Sequence, residues 1–277
     1  MIHFPNCKIN LGLNVLNKRP DGFHSIETVF YPVNWCDALE ILPHDDHTQA
    51  FNYSQSGLAI EGQLENNLIY KAWKLISTES KLPPLKVHLH KNIPMGAGLG
   101  GGSSDAAFFI NALNKTFKLG YTEKQKASMA SSLGSDCAFF IKNKPVFATE
   151  KGDVFSETPL DLSTYYILIV YPGINSNTKA AYNMLVPGPP THALKKVIEK
   201  KPLSKWKNFL VNDFEEVVLK KFPDIKLLKE HLYKQGAIYA CMSGSGSSVF
   251  GIFKNEPSLN FPEGYSFFVQ KPSAIIL

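Results

Sequence analysis

A glycine-dense stretch, residues 94–105 (PMGAGLGGGSSD), constrains this chain more than any other part of its sequence. Five of the seven residues from Gly96 to Gly102 are glycine, a strand-like run around Leu89 precedes them, and an alanine-rich helical pattern follows. A simple turn rarely contains so much glycine, because each glycine increases the conformational entropy lost on folding. Bare backbone N–H groups at the start of a helix bind anions, so we predict a phosphate-binding loop.

Two known kinds of phosphate loop are excluded by their context. A Walker loop ends in Gly-Lys-Ser or Gly-Lys-Thr, and no lysine follows the glycines here. Gly96, Gly98 and Gly101 match the dinucleotide-binding pattern, but that pattern needs a strand after the helix. A second helix pattern follows instead, with Thr122 and Gln125 as its capping box. The sequence therefore predicts a phosphate loop of another kind.

The composition is typical of an ordinary globular protein with a small anionic substrate. The 277 residues are 44% hydrophobic and 19% charged, with a net charge of +5. This charge is too weak to indicate nucleic acid, and the lysine-rich stretch 195–207 is expected to be a solvated helix face. The four cysteines lack C-x-x-C spacing, which argues against zinc and for a reduced compartment. With neither a leader nor a membrane-spanning run, we expect a cytoplasmic protein.

The hydrophobic pattern predicts a mixed chain of strands and helices in two domains. We predict strands at 28–33, 38–42, 86–92, 165–171, 237–242, 249–253 and 265–269, and helices after Asn67, after the glycines, after Thr122 and at 223–235. The polar segment 44–62 is expected to be a hairpin or loop with little chemistry. The near-continuous apolar run at 165–171 predicts a buried strand of the second domain, so the domains are placed at 1–155 and 156–277.

Three parts of the sequence each allow two interpretations. Residues 7–15 alternate strictly, which predicts a strand that either has a solvated polar face or uses Lys8 and Asn10 as the floor of an anion pocket. Asp136 precedes an apolar run, so it is either a cap or turn residue or a carboxylate that partial desolvation makes a better base. His24, after a Pro-Asp-Gly turn, is either a surface residue or a ligand reader.

Four motifs, taken together, resemble those of the GHMP small-molecule kinases over nearly the whole chain. They are the Lys8-x-Asn10 strand, the glycine-rich loop, Gly-Ser-Asp at 134–136 and Ser-Gly-Ser-Gly at 243–246. Smaller motifs resemble one family among them, the 4-diphosphocytidyl-2-C-methyl-D-erythritol kinases; these lie at 8–11, 19–24, 67–69, 100–102 and 212–215. Mevalonate and homoserine kinases share the loop but lack the Asp-Gly-aromatic-His turn.

The resemblance implies an α+β fold, with a ribosomal S5-like N-terminal domain and a ferredoxin-like C-terminal domain. It implies ATP-dependent phosphorylation, with Mg²⁺, of the 2-hydroxyl of 4-diphosphocytidyl-2-C-methyl-D-erythritol in the non-mevalonate isoprenoid pathway. We expect small-molecule partners only, without nucleic acid or membrane, and a monomer or weak homodimer. The alternatives are another GHMP kinase whose substrate lacks a nucleobase, and a nucleotide-binding or basic RNA-binding protein without catalysis.

The resemblance also implies a role for each matching residue. Asp136 would take or orient the proton of the attacking hydroxyl, with Lys8 close to it and offsetting charge on the phosphoryl group. His24 would read the cytosine edge, and the base would stack between Phe23 and Tyr182. The residues expected to bind the substrate are Asn10, Phe23, His24 and Tyr182. The residues expected to wrap the ATP phosphates are Pro94, Met95, Gly96, Ala97, Gly98, Leu99, Gly100, Gly101, Gly102, Ser103 and Ser104.

Two positions depart from the family pattern. Phe23 stands where tyrosine is more frequent, so stacking is kept and any hydroxyl contact is lost. Asp105 stands where asparagine is frequent, and its carboxylate could help to hold Mg²⁺ or face solvent.

Overall fold

The computed structural model describes residues 1–45 and 48–273. Its strands are, in chain order, β1 (Ile2–His3), β2 (Asn6–Lys18), β3 (His24–Cys36), β4 (Ala38–Pro43), β5 (Phe51–Gly57), β6 (Leu85–Lys91), β7 (Val146–Thr149), β8 (Val154–Glu157), β9 (Tyr166–Tyr171), β10 (Tyr239–Met242), β11 (Val249–Phe253) and β12 (Ser266–Gln270). Its helices are α1 (Leu68–Glu79), α2 (Gly101–Thr116), α3 (Glu123–Leu133), α4 (Phe139–Lys142), α5 (Thr178–Met184), α6 (Leu194–Lys200), α7 (Phe214–Lys221) and α8 (Pro223–Lys234). The predicted α+β class is confirmed.

The chain forms two compact units, and each is discontinuous along the sequence. Unit 1 contains residues 1–7, 34–95 and 100–144, and unit 2 contains residues 8–33, 96–99 and 145–277. Contacts therefore divide the glycine-rich loop between the units. The domain boundary placed at 155/156 stays a prediction, because these units group residues by contact rather than by one cut in the chain.

Unit 1 is built on a sheet with the strand order β1-β4-β6-β5. Strand β6 is the predicted strand that feeds the glycine-rich loop, and it pairs antiparallel with β4. Helix α1 begins as the sequence predicts, because the Asn67 side chain accepts the backbone N–H of Ile69 at 2.8 Å. Helices α1 and α2 pack together through buried faces that include Ile76 and Leu113. The capping box of Thr122 and Gln125 opens α3 as predicted.

The segment 44–62, of which residues 46 and 47 lie outside the described residues, contains a strand in place of the hairpin or loop that the sequence predicts. Within it, β5 pairs in parallel with β6, with Phe51 opposite Leu85 and Gly57 opposite Lys91. The sequence pattern does not indicate a strand at β5, because polar residues stand at positions where a half-buried strand normally has apolar ones. The aromatic ring of Phe51 packs against those of Tyr70 and Trp73 of α1, so side-chain packing stabilises the strand.

Unit 2 contains two further sheets, with the orders β2-β3-β7-β8 and β10-β11-β9-β12. Strand β9 lies between β11 and β12, which confirms the buried strand predicted at 165–171. Helix α8 buries Ile225, Leu228 and Leu232, as its spacing predicts, and these residues belong to a core that also includes Val170.

The polar face of β2 is buried, so its interpretation as a solvated face is wrong. Lys8 is 3% exposed and Asn10 is 1% exposed. Hydrogen bonds inside unit 2 replace water for both side chains: Lys8 Nζ donates to Asn10 Oδ1, and Asn10 Nδ2 donates to Thr28 Oγ1. A buried polar side chain is tolerated where such partners exist.

The four cysteines, Cys7, Cys36, Cys137 and Cys241, are all free thiols. In the described part of the chain, no helix combines the length and the apolar character needed to cross a membrane.

We expect Ile169→Ala to lower the free energy of unfolding by about 3 kcal/mol, because it leaves a cavity in the central strand β9. The Ile169 side chain is fully buried. Urea denaturation measures the loss. Val154→Ala, at an exposed position of β8, is the control and should change the free energy by less than about 0.5 kcal/mol. Equal effects of the two substitutions would contradict the described core.

Candidate active site

Residues 96–99 of the glycine-rich loop lie against a late loop, residues 243–248, within unit 2. At Gly98 the backbone φ is +78°, and a Cβ would overlap the carbonyl oxygen of Ser243. Ser243 Oγ donates to the Gly98 carbonyl oxygen at 2.9 Å, and the Ser248 N–H donates to the Ala97 carbonyl oxygen at 3.1 Å. Any side chain at residue 98 would therefore push the two segments apart.

The late loop is positioned by the Asn-Asp-Phe-Glu motif at 212–215. Asn212 Nδ2 donates to the carbonyl oxygens of Met242 and Gly244, both at 2.8 Å. Glu215 Oε1 accepts the Met242 N–H at 2.8 Å, and Lys229 Nζ donates to Glu215 Oε2 at 2.6 Å. These bonds give the motif a structural role, since they fix the backbone from which the late loop starts.

Lys8 is oriented by the loop and by its own strand. Its Nζ donates to Asn10 Oδ1 at 2.6 Å and to the Gly98 carbonyl oxygen at 3.1 Å. It also lies 5.1 Å from the centroid of the Phe30 ring, a distance at which a cation is attracted to an aromatic face. The structure thus brings together three predicted site residues, Lys8, Asn10 and Gly98, in unit 2.

Asp136 lies in unit 1, on the turn between α3 and α4. Its side chain is half-buried, and the Ser135 hydroxyl donates to its Oδ1 at 3.5 Å. Helix α4 begins after Ala138, so Asp136 is a turn residue and not a helix cap. Its role as a base stays a prediction, which this position permits because the carboxylate is partly accessible.

The second half of the glycine-rich loop forms the start of α2 in unit 1. Gly100 caps the helix with φ +72°, and a Cβ at Gly101 would lie 2.9 Å from Lys91 Nζ. Ser103 and Ser104 follow in the first turn, as the sequence predicts. The Ser104 hydroxyl is buried and has no hydrogen-bond partner among the described residues. Ser103 is half-buried, so this helix start offers its N–H groups and the Ser103 side chain, and not the buried Ser104 hydroxyl, to a ligand.

The predicted cytosine readers lie in unit 2. The His24 ring stacks on the Tyr182 ring with centroids 4.6 Å apart and an interplanar angle of 16°, and the Phe214 ring meets Tyr182 edge-on at 4.8 Å. Phe23 is 56% exposed, with Lys151 Nζ 5.2 Å from its ring centroid. The structure thus brings His24 and Tyr182 into direct contact and leaves the Phe23 ring accessible.

Unit 1 also contains a cavity of about 360 Å³ that our sequence analysis missed. Its walls combine apolar and polar side chains; they include Tyr53, Gln55, Leu64, Asn66, Asn67, Leu68, Leu89, Met95 and Asp105, together with Gly102. Of the described residues, those that line it include no lysine or arginine. Phe51 and Tyr53, two aromatic residues at alternate positions, were the sequence pattern that could have predicted the strand in this wall. The polar residues between and after them made that pattern hard to recognise.

A buried ionic triad, Asp37–Lys91–Asp105, lies beside the cavity. Lys91 Nζ donates to Asp37 Oδ2 and, at 2.8 Å, to Asp105 Oδ2. Asp37 Oδ1 accepts the backbone N–H groups of Asn92 and Ile93 at 2.6 and 2.8 Å. Asp105 is 2% exposed, so the expectation that it could face solvent is wrong.

In this triad, burial and ion pairing have opposing effects on the pKa values of Asp105 and Lys91. Burial raises the pKa of Asp105 to about 7; the Lys91 ammonium opposes this rise and the Asp37 carboxylate adds to it. Burial also disfavours the Lys91 ammonium, but the two carboxylates more than offset this and raise its pKa. Lys91 is therefore charged at neutral pH and needs an acceptor from each neighbour.

Comparisons with known proteins place the chain in a family. Two family descriptions match, "GHMP kinases N terminal domain" at residues 67–144 and "GHMP kinases C terminal" at residues 194–261. A 4-diphosphocytidyl-2-C-methyl-D-erythritol kinase of Bacteroides fragilis is 51% identical over 94% of both chains. Another, of Cytophaga hutchinsonii, is 51% identical over 93% of this chain and 94% of its own. The chain belongs to the 4-diphosphocytidyl-2-C-methyl-D-erythritol kinase family.

The fold agrees with membership of this kinase family. A crystal structure of a 4-(cytidine 5'-diphospho)-2C-methyl-D-erythritol kinase superposes with a TM-score of 0.74 and 28% identity, covering 91% of this chain and 90% of the other. The GHMP kinase resemblance drawn from the four motifs is thereby confirmed, and with it the two-domain α+β GHMP fold.

We expect Gly98→Ala to reduce phosphotransfer by this GHMP kinase at least about 100-fold, because displacing the loop by an ångström misplaces the reactants. Gly120→Ala is a matched control, since Gly120 has the same φ of +78° and nothing within 4 Å of a Cβ. Both variants lose about 1–2 kcal/mol to left-handed strain, and Gly98→Ala loses more. Activity assays and urea denaturation measure the two effects. Similar activities of the variants would show that space at Gly98 is unimportant.

Proposed function

We propose that this kinase transfers the γ-phosphoryl group of ATP to the 2-hydroxyl of 4-diphosphocytidyl-2-C-methyl-D-erythritol, giving the 2-phosphate and ADP. The observation that carries the substrate assignment is the stacked pair of His24 and Tyr182. His24 starts β3, the neighbour of β2, which carries Lys8 and Asn10. A histidine that recognises a nucleobase therefore lies on the strand next to a buried lysine. This arrangement suits a substrate that carries both a base and a hydroxyl group to be phosphorylated.

His24 has the chemistry to read cytosine. Burial, assisted by the positive charge of Lys18, lowers the pKa of His24 below its usual 6.5. The imidazole is therefore neutral at pH 7 and offers one N–H donor and one ring-nitrogen acceptor. Cytosine carries an amino donor beside acceptors on its pairing edge, so the two edges are complementary. Stacking of the base on the exposed ring of Phe23 would add apolar contact.

We assign the phosphates of ATP to backbone N–H groups and its base to the cavity of unit 1. The N–H groups at the start of α2 suit the phosphates, because the helix dipole favours negative charge there. The cavity of unit 1 suits the base, since Gly102 and Met95 of the loop also line it and its walls are largely uncharged.

The reaction requires one proton transfer and one phosphoryl transfer. The substrate hydroxyl oxygen attacks the γ-phosphorus and forms a new P–O bond while the bond to the β,γ-bridging oxygen breaks and ADP leaves. The Asp136 carboxylate accepts the hydroxyl proton. The Lys8 ammonium, held by Asn10 and the Gly98 carbonyl oxygen, offsets charge on the transferring group.

Mg²⁺ fits this site as a metal bound mainly to the nucleotide. In the described part of the chain, no three His, Cys, Asp or Glu side chains form a metal cluster. Mg²⁺ is commonly held by phosphates, waters and one or two side chains, and the half-buried Ser103 hydroxyl in the first turn of α2 is the group that would fit such a role. When bound, Mg²⁺ would neutralise charge on the phosphates.

We expect Asp136→Ala and Lys8→Ala each to abolish turnover, lowering kcat at least about 100-fold. Asp136→Asn and Lys8→Met keep side-chain volume and should be equally inactive, which separates lost charge from lost packing. A coupled assay for ADP measures kcat, and circular dichroism checks the fold. A variant at either position that keeps nearly the wild-type kcat would disprove the assigned mechanism.

We expect His24→Ala to raise KM for the cytidine substrate at least about tenfold while KM for ATP changes less than about twofold, because only the former loses a hydrogen-bonded base. His24→Phe is the control: it keeps a ring to stack on Tyr182, but should lose the same affinity. In the wild type, KM for the cytidine substrate should stay constant from pH 8 to 6.5 and rise below 6.5, where the lowered pKa lets His24 protonate. Equal effects of His24→Ala on both KM values would remove the reader role.

The same assay separates the alternative functions. A GHMP kinase for a substrate without a nucleobase would phosphorylate the uncytidylated analogue at least as well as the cytidine compound. A binding protein without catalysis would release no ADP with either compound, and an RNA binder would in addition show salt-sensitive binding to RNA.

A further inference from the structure

Thr28 lies beside the strand that carries the candidate catalytic lysine. It belongs to β3, whose neighbour β2 carries Lys8 and Asn10, and all three residues lie in unit 2. Alternation along β3 places Thr28 on the same face as Phe30, whose ring centroid is 5.1 Å from Lys8 Nζ. Thr28 is fully buried, so its hydroxyl meets protein groups and not a bound substrate.

A series of buried hydrogen bonds joins Thr28 to the Lys8 ammonium. Thr28 Oγ1 donates to the Gly12 carbonyl oxygen at 2.6 Å and accepts from Asn10 Nδ2 at 3.0 Å. Asn10 Oδ1 accepts from Lys8 Nζ at 2.6 Å, and Lys8 Nζ also donates to the Gly98 carbonyl oxygen at 3.1 Å. Asn10 is 1% exposed, so water does not replace either partner of its amide.

The two ends of this series fix the direction of each hydrogen bond in it. The Gly12 carbonyl oxygen can only accept, so it takes the Thr28 hydroxyl proton and leaves Thr28 Oγ1 as an acceptor for Asn10. The Lys8 ammonium can only donate, so the Asn10 amide turns its oxygen to Lys8 and its NH2 group to Thr28. Reversing the amide would leave buried polar atoms unpaired, which is costly. The Thr28 hydroxyl therefore selects the end of Asn10 that faces Lys8.

We propose that Thr28 is a positioning residue for phosphoryl transfer: its hydroxyl holds the Asn10 amide in the orientation that places the Lys8 ammonium at the transferring group. This inference deepens the proposed function and rests on it, because it requires Lys8 to offset charge in the transition state. An ammonium displaced by an ångström no longer meets that charge in the productive geometry.

The test replaces the Thr28 hydroxyl by a methyl group. Thr28→Val keeps the branched side chain that suits a strand. The Asn10 NH2 group then faces a methyl group, and an amide that turns over would present the NH2 group to Lys8, so that two donors oppose each other. Either arrangement removes the fixed acceptor of the Lys8 ammonium.

We expect Thr28→Val to lower kcat at least about tenfold, because Lys8 is misplaced. KM for ATP and KM for the cytidine substrate should each change less than about twofold, since an interaction made only in the transition state is lost. Thr28→Ser keeps the hydroxyl and should retain kcat within about threefold. The coupled assay for ADP measures these values, and urea denaturation establishes that each variant is folded under the assay conditions.

A double-mutant cycle with Asn10→Ala separates positioning from a merely structural role. Asn10→Ala interrupts the series between Thr28 and Lys8, so Thr28→Val should lower kcat by less than about twofold in that background. If Thr28 acted independently of Asn10, the two losses of kcat would multiply in the double variant. That result would overturn the inference.

Thr158→Val is the control for the substitution itself. Thr158 is another buried threonine of unit 2, and its hydroxyl has no hydrogen-bond partner among the described residues. The same change of a hydroxyl to a methyl group should therefore leave kcat unchanged there. A loss of kcat equal to that of Thr28→Val would contradict a specific role for the Thr28 hydroxyl.

A second pair of variants keeps the inference falsifiable if Thr28→Val does not fold. Thr28→Ala and Thr28→Ser also differ by one hydroxyl group, and kcat should be at least about fivefold lower for Thr28→Ala. Equal kcat within either pair, while Lys8→Met is inactive, would make the hydroxyl structural and overturn this inference alone. Nearly wild-type kcat in Lys8→Met would instead overturn the proposed mechanism, and this inference with it.

Discussion

At Gly98 the backbone lies so close to Ser243 that no Cβ fits between them, and the residue adopts a left-handed φ of +78°. Only glycine satisfies both conditions without strain. The Gly98 carbonyl oxygen accepts hydrogen bonds from Ser243 Oγ and from Lys8 Nζ. A single glycine therefore links the late loop to the strand that carries the candidate catalytic lysine, and a side chain there would disturb both.

In each unit, buried polar groups hold the backbone of the functional segments in place. Asn212 satisfies two carbonyl oxygens at the start of the late loop, and Asp37 satisfies two N–H groups before the glycine-rich loop. Such groups are costly to bury unless they are paired, so each fixes one backbone arrangement instead of several. In the triad, Lys91 is compensated by two carboxylates, which makes its charge structural.

The sequence predicted the elements whose pattern is local, and it missed those that depend on distant partners. The caps at Asn67 and Thr122 and the buried strand β9 follow from residues a few positions apart. Strand β5 does not, because it gains its stability from pairing with β6, some thirty residues along the chain. The burial of Lys8 and Asn10 was equally hidden, since alternation shows that a strand has a polar face and not what covers that face. The cavity was missed with β5, on which part of its wall lies.

The backbone binds phosphate and the side chains discriminate between substrates, which explains why one loop can serve kinases with different substrates. The glycine-rich loop offers N–H groups, which bind phosphate and carry no information about the rest of the molecule. Discrimination must then come from side chains placed where water is excluded, because a missing partner there leaves a buried polar group unpaired. His24, whose ring stacks on Tyr182, is the candidate for such a side chain once a bound base covers it. Stacking on Tyr182 holds the plane of the His24 ring, so its hydrogen-bonding edge is set before a ligand arrives.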